Sequence, residues 1–483
     1  MNGFGLKLPL PRPLIRPFLL PGLLALVLIL VAFLVINLPV PMALGISVVI
    51  VVFAVSFFKI KIALAVLIFS MLLSPEIGVR ETGGGGTTIR IDDFLIFIIS
   101  VAWLMKMAVT KEFGTLVRSS LSLPILLYVA TCAVATAVGI AAGRVEAKTG
   151  VLFVIKYAEY FLIYFIVMNH MRERKLAELY LTLVFATCAL VCCFALYQVP
   201  ADGRVTAPFE GASGEPNTLG GYLVLIFSMM MGIFLTAPFS RTMRWVYGSV
   251  LALIFFVLLA TQSRGSWLAF AAMYLAFVVF HKGRFALTLV MVIALLFGPL
   301  VLPNSVKDRF RYTFKKESGW AARYQENVAG LTLDTSASAR VRDWKEAWQQ
   351  FKSRPVLGDG VTGWKFVDSQ YIRTLVETGI VGLAAFLFLI GALIRQTYLR
   401  FRAARDKVFR GVCLGFLAGT IGLLVHGLSA NSFIILRIME PFWFLAGIVM
   451  VSDTYSEKEN LEQHDDETTG RFSGVRESPN RGR

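Results

Sequence analysis

Residues 241–284 read RTMRWVYGSVLALIFFVLLATQSRGSWLAFAAMYLAFVVFHKGR. Two apolar runs, near 245–262 and 265–281, meet at a tight turn at residues 263–265. Basic residues flank the pair on its outer sides, Arg241 and Arg244 before it and Lys282 and Arg284 after it. An apolar run of about 18–20 residues crosses a bilayer as a helix, because each backbone polar group must be satisfied inside the segment. The stretch therefore reads as a helical hairpin with both basic ends on one side of a membrane and the turn on the other.

The same reading extends over the chain. Further spans are expected near 18–37, 41–58, 61–74, 93–110, 121–142, 150–168, 176–197, 218–236, 285–302, 371–394, 410–428 and 433–451, about fourteen in all. If the N-terminus is cytoplasmic, the clusters Lys59/Lys61, Lys106/Lys111/Arg118, Arg172/Arg174/Lys175 and Arg395 to Arg410 join the hairpin's basic ends on one side. That sorting follows the positive-inside rule. The external connectors are then 75–92, 143–149, 198–217, 263–265, 303–370 and 429–432. Lys7, Arg12 and Arg16 precede the first run like the charged region of a signal peptide, but no small-residue cleavage site follows and more spans come at once. An uncleaved first helix is expected. The expected class is an all-α polytopic membrane protein with one large, partly helical external loop. It divides into a bundle at 1–302, the loop at 303–370, the last three helices at 371–451, and a polar, disordered cytoplasmic tail at 452–483.

Composition agrees. The chain has 483 residues, 57% hydrophobic and 16% charged, with mean hydropathy +0.70; soluble domains carry roughly 25% charged residues. Its continuous apolar runs differ from the alternating strands of a membrane barrel. The net charge of +16 resides mostly in short connectors, so it does not mark nucleic-acid binding. Cys132, Cys188, Cys192, Cys193 and Cys413 all lie in apolar runs and read as packing residues, with neither a disulfide framework nor metal-ligand spacing. Gly83–Gly86 reads as a loop tip, since it lacks the Lys and Ser/Thr of a phosphate-binding loop.

The 303–370 loop is long enough to carry elements of its own. Within Ser338–Phe351, Val341, Trp344, Trp348 and Phe351 recur at helical spacing, Ser336 or Ser338 is placed to cap the start, and Pro355 follows the end. An amphipathic helix is expected, lying on the outer membrane face, capping the bundle, or packing on the loop's own core.

Ionisable residues inside a bundle or at its mouth are costly and draw functional attention. Lys156 and Glu159 stand three apart in a span and are expected to pair with each other. Arg204 lies in a Gly- and Pro-rich external segment, where an ordinary loop arginine is the alternative reading. Arg264 occupies the tight external turn Thr261–Trp267, against the positive-inside bias. Its guanidinium fork suits phosphate, with Ser263, Gly265 and Ser266 adjacent as donors. Arg437 and Glu440, three apart, are expected to pair on a helix face. His426 reads as a satisfied core residue. Asp368 ends the big loop, either as a cap for the helix containing Tyr371 or as a base with its pKa raised by desolvation. No Ser/His/Asp set, Cys pair or His-based metal constellation is found on the external side. The chemistry expected is anion handling by arginines with a carboxylate available as base.

At these residues the sequence resembles the O-antigen ligases and the related O-antigen and exopolysaccharide polymerases of bacterial inner membranes. Arg204, Phe209 and Pro216-Asn217-Thr-Leu-Gly220 resemble the family's Arg…Pro-Asn…Leu-Gly start of a span. Gln262-Ser-Arg-Gly265 resembles its Ser-Arg-Gly turn. Arg340…Trp344…Pro355-Val-Leu-Gly-Asp-Gly360 resembles its loop segment, and Glu377-Thr-Gly379 with Gly382 its Glu-x-Gly-x-x-Gly helix. Ligases carry a histidine at the end of the large loop; here Asp368-Ser-Gln-Tyr-Ile372 puts Asp368 in its place.

The resemblance implies a metal-independent, inverting glycosyl transfer on the periplasmic side, with no cofactor. The donor would be a glycan on undecaprenyl pyrophosphate, and the acceptor a glycan or lipid. Arg204, Arg264 and Ser263 would hold the pyrophosphate, Asp368 would act as base, and Arg340, Arg437, His426 and Tyr371 would support them. Loss of the histidine tilts the expectation toward polymerisation of repeat units, with ligation of finished chains next and a flippase for the same lipid-linked sugars third. Other polysaccharide-assembly proteins are the expected protein partners, and the inner membrane the expected location with both termini cytoplasmic.

Overall fold

Where the described chain carries an apolar run of spanning length, it is helical. The computed structural model describes residues 40–77, 89–110, 119–171, 173–199, 204–209, 214–301, 304–312, 321–328 and 331–452. Its helices are α1 Val40–Phe58, α2 Ile60–Leu73, α3 Ile91–Thr110, α4 Ser122–Ala141, α5 Ala147–His170, α6 Arg174–Gln198, α7 Pro216–Thr236 and α8 Arg241–Ala260. They continue as α9 Arg264–Phe280, α10 Arg284–Val301, α11 Asn304–Tyr312, α12 Thr335–Ser353, α13 Gln370–Ala403, α14 Lys407–His426 and α15 Leu436–Met450. Two two-residue antiparallel ladders, Glu76–Ile77 with Ile89–Arg90 and Asn327–Val328 with Leu331–Thr332, are the strands among the described residues.

This is an all-α polytopic membrane protein. Eight described helices are long and apolar enough to cross a membrane, and four shorter apolar ones accompany them at 45–58, 60–73, 264–280 and 284–298. The expected span at 18–37, the Gly83–Gly86 tip and the tail beyond residue 452 lie outside the described residues. All five cysteines are free; Cys193 is exposed and the other four are buried.

The centre of the bundle is α7 against α14. Small residues allow it: Gly411, Gly415 and Gly419 recur every fourth position, and a Cβ on any of them would collide with α7 at Gly232, Ser228 or Thr236. In lipid, where apolar burial drives helices together weakly, such close backbone approach supplies the packing.

The connectors sort to two ends. At one end Lys61 pairs with Glu173 at 2.6 Å and Arg174 with Asp406 at 2.9 Å. At the other, Arg204 Nε donates to Thr261 O at 3.1 Å, and the Gln370 N–H donates to Gly427 O at 2.9 Å. Between 304 and 369 the chain forms α11, a 3₁₀ turn at Ala321–Tyr324, the second ladder and α12, which packs on α13.

Three local expectations need correction. Lys156 Nζ donates to Asp93 on α3 at 2.8 Å rather than to Glu159 on its own helix. Arg437 does not pair with Glu440: it donates to the carbonyls of Pro208 at 2.9 Å and Leu72 at 3.1 Å, while Glu440 accepts from Arg90 Nη2 at 2.7 Å. Arg90 also binds Asp92, so one guanidinium joins α3 to α15 inside the protein. Lys156 thereby joins α5 to α3, and Arg437 joins α15 to the end of α2 and to the 204–209 segment. Third, α12 starts earlier than expected. Asp334 caps it by accepting from Ala337 N at 2.8 Å, and Ser338 instead bonds Glu326 N and Leu333 O. The helix buries Ser338 and Ala347, while Trp348 stays 48% exposed.

Candidate functional site

The turn between α8 and α9 is built by its own hydroxyls. Gln262 takes a left-handed φ of 50°, which reverses the chain. Thr261 Oγ1 accepts from Ser263 N at 3.2 Å, and Ser263 caps α9 by accepting from Ser266 N at 3.2 Å. Arg264 is thereby held as the first residue of α9. Its Nη1 lies 2.7 Å from Asp334 Oδ2, on a carboxylate that is 1% exposed. One carboxylate thus caps α12 with one oxygen and binds Arg264 with the other.

Arg204 comes to the same turn from the 204–209 segment, through its bond to Thr261 O. Arg437 fixes the far end of that segment by its bond to Pro208 O. Arg309 on α11 and Arg340 on α12 complete the group. Burial, then Arg309, Arg264 and Arg340, lower the Arg204 pKa from its ordinary value. Burial and then Arg264 do the same to Arg309, partly offset by Asp334. Four guanidiniums therefore share one field, and Arg340 Nε is buried with no hydrogen-bond partner among the described residues.

Asp368 stands beside Arg340, its Oδ2 3.9 Å from Arg340 Nη2, with a side chain 47% exposed. It does not cap α13: Ser369 occupies that position and gives no side-chain bond. Burial raises the Asp368 pKa above the usual carboxylate range; Arg340 and Arg373 pull it down and Asp343 pushes it up, and the net direction is upward. The backbone around it is pinned, because Asn431 Nδ2 donates to Val367 O at 2.8 Å and Gln370 N bonds Gly427 O.

Beneath the arginines runs a buried hydrogen-bond chain. Ser263 Oγ donates to Asn217 Oδ1 at 2.7 Å, and Ser266 Oγ donates to Ser263 Oγ at 2.7 Å. With its one proton used, the Ser266 oxygen is left to accept from His426 Nε2 at 3.1 Å. His426 Nδ1 is then the acceptor for Ser432 Oγ at 2.7 Å. His426 is fully buried and satisfied, as expected of a core residue. Tyr371 is also structural, donating to Leu424 O at 2.7 Å.

The start of α13 is a separate short helix. Gly379 breaks it with φ 66° and ψ −167°. The loop that follows α12 fills the break: Ile380 N donates to Pro355 O at 2.8 Å and Gly360 N to Glu377 O at 2.8 Å. The Glu377 side chain accepts from Thr362 N at 3.1 Å and from Arg373 Nε at 3.0 Å.

Residues 248–387 match the family model described as O-antigen ligase. That stretch is similar to the O-antigen ligase family. No curated protein matches the chain. The matched stretch contains Ser263, Arg264, Arg309, Asp334, Arg340, Asp368, Tyr371 and Glu377, whereas Arg204, Asn217, His426 and Arg437 lie outside it. The match supports O-antigen ligase- or polymerase-type activity in general and, with the apolar helices, a membrane protein of polysaccharide biosynthesis. Of the residues singled out from sequence, Arg204, Arg264, Ser263, Arg340 and Asp368 come together, His426 lies directly under them, and Arg437 and Tyr371 act through backbone carbonyls. Sequence reasoning missed Arg309 and Asp334. An acid at a helix start was a usable signal for Asp334; no sequence signal distinguishes Arg309 from Arg311 beside it.

Proposed function

We propose that the chain transfers a glycan from undecaprenyl pyrophosphate to an acceptor sugar hydroxyl at the periplasmic face of a bacterial inner membrane. The observation that carries this reading is the setting of Arg204: its electrostatic neighbours Arg309, Arg264 and Arg340 are all cations. Like charges held close together cost free energy that a bound anion recovers. Guanidinium forks match phosphate oxygens in pairs. A diphosphate bearing a lipid and a sugar has one negative charge on each phosphorus, against four guanidiniums facing the carboxylates of Asp334 and Asp368. The basic connectors gather at the opposite end of the bundle, which supports a periplasmic position for this one.

In this reading Asp368 takes the proton of the acceptor hydroxyl as that oxygen attacks the anomeric carbon. The new C–O bond forms as the bond to the diphosphate breaks, and the electron pair leaves on the diphosphate oxygen. Arg204 and Arg264 meet the charge that develops there. Attack opposite the leaving group inverts the anomeric centre. Arg340 stands between the two halves of the site, in reach of Asp368 and of the other arginines.

Polymerisation of lipid-linked repeat units is the favoured form, because an aspartate stands where ligases place a histidine. Ligation of finished chains is the second, favoured by the description of the matching family. The break in α13 does not favour a flippase, since the protein's own residues 355–360 occupy it. The deciding experiment is the size and attachment of glycan in cells lacking the protein. Single repeat units with long chains absent would establish polymerisation. Full-length chains stranded on the carrier would establish ligation. Unchanged glycan on the proper acceptor would overturn both.

A further inference from the structure

Asp334 is an acid in a place built for anions. Its carboxylate is 1% exposed and binds Arg264 at 2.7 Å. It is also the acid that raises the pKa of Arg309 against the pull of burial and of Arg264. We propose that the Asp334 carboxylate occupies the position of one donor phosphate, that Arg309 is a further phosphate-binding residue there, and that the donor enters by taking Asp334's place on Arg264. The proposal rests on the diphosphate reading above and deepens it.

Three features carry the exchange. The two oxygens of Asp334 have different duties: Oδ1 accepts from Ala337 N and Oδ2 faces Arg264. Leaving Arg264 therefore breaks an ion pair without uncapping α12. A phosphate presents more oxygens than a carboxylate and can serve Arg264 and Arg309 together, each through paired N–H bonds. Finally, α12 carries Arg340 two turns on, and Arg340 reaches toward Asp368. Detaching the start of α12 from α9 thus links arrival of the donor to the placement of the residues that face the acceptor.

The test uses the full-length protein in detergent or nanodiscs, with inorganic pyrophosphate as probe and calorimetric titration as readout. D334N removes the competing charge and keeps an oxygen that caps the helix. It should bind pyrophosphate more tightly, roughly fivefold, while α12 and thermal unfolding stay as in the parent protein. R309A should bind roughly tenfold more weakly. A purely structural Asp334 predicts the opposite sign, because loosening the loop would weaken binding. Unchanged or weaker binding in D334N overturns the exchange, and unchanged binding in R309A overturns the Arg309 assignment. Should D334N fail to accumulate, D334S, another good cap without charge, carries the same expectation. R264A and R204A separate the two levels. Should they also leave pyrophosphate affinity unchanged, the diphosphate reading itself fails; should they weaken it while D334N does nothing, only the exchange fails.

Discussion

His426 Nε2 lies 3.1 Å from Ser266 Oγ, and this contact ties the last turn of α14 to the first turn of α9. It is one link in the hydrogen-bond chain that runs from Ser432 to Asn217. Replacing His426 with Ala strands buried hydroxyls at Ser266 and Ser432. Each unmade buried hydrogen bond costs about 1–3 kcal/mol. H426A should therefore melt well below the parent protein in a detergent thermal scan. S266A, which also removes the link to Ser263, should show a smaller loss together with weaker pyrophosphate binding.

Arg264 is expected to matter to the chemistry more than to the fold. Its side chain sits at the mouth of the bundle and pairs with a loop residue. R264A should insert and accumulate normally but lose on the order of 10²-fold in transfer rate, the scale seen when one charge-stabilising donor is removed. R264K keeps the charge and forfeits the fork, so it should recover only part of that loss. Full activity in R264A, measured on purified protein with lipid-linked donor, would remove Arg264 from the mechanism.

For Asp368 the expected signature is a pH profile. A base works only when deprotonated, and burial raises the proton affinity of this carboxyl. Transfer should be full at alkaline pH and fall, as pH drops, at a point above the ordinary aspartate range near 3.9. D368N should be slow at every pH and lack that limb, whereas D368E should keep it. An unaltered limb in D368N would assign the titration to another group.

Two glycines with the same backbone torsion should respond differently. Gly379 and Gly143 have φ 66° and 69°. A Cβ at Gly379 would collide with the Val356 carbonyl, while nothing lies within 4 Å of one at Gly143. G143A should cost only the left-handed strain, about 1–2 kcal/mol. G379A should also push the 355–360 loop out of the break in α13. The expected outcome is G143A protein close to normal and G379A poorly accumulated or inactive, compared by yield and melting temperature.

The spans were legible because a bilayer demands long apolar runs whatever the tertiary fold, and each run expected within the described residues is a helix. Arg264 was legible for the converse reason, being a cation in a three-residue turn where topology gives no cause for one. Asp334, its partner 70 positions away, was not. Its place at a helix start was a local signal for a cap, but only the fold, by bringing α12 over α9, makes it the partner of Arg264. Lys156 and Arg437 show the same limit from the other direction. Their one-turn neighbours Glu159 and Glu440 were visible, yet Asp93 and the Pro208 carbonyl are the partners, because the fold brings those groups within reach and sequence spacing does not show it. Three of the four arginines in the group were legible: two came from motifs and Arg340 from the loop pattern, and Arg309 emerged only in three dimensions.

Arg90 reaches Glu440 across 350 residues of chain. During synthesis α3 is made long before α15 exists, so the cation must wait, paired with Asp92 alone, through the insertion of most of the bundle. The clasp closes only when the last described helix arrives. Contacts of such sequence separation form late and make assembly slow. A chain halted before residue 440 would keep the Arg90–Asp92 pair but lack the contact that ties it to α15. The pair therefore acts as a seal on completed assembly.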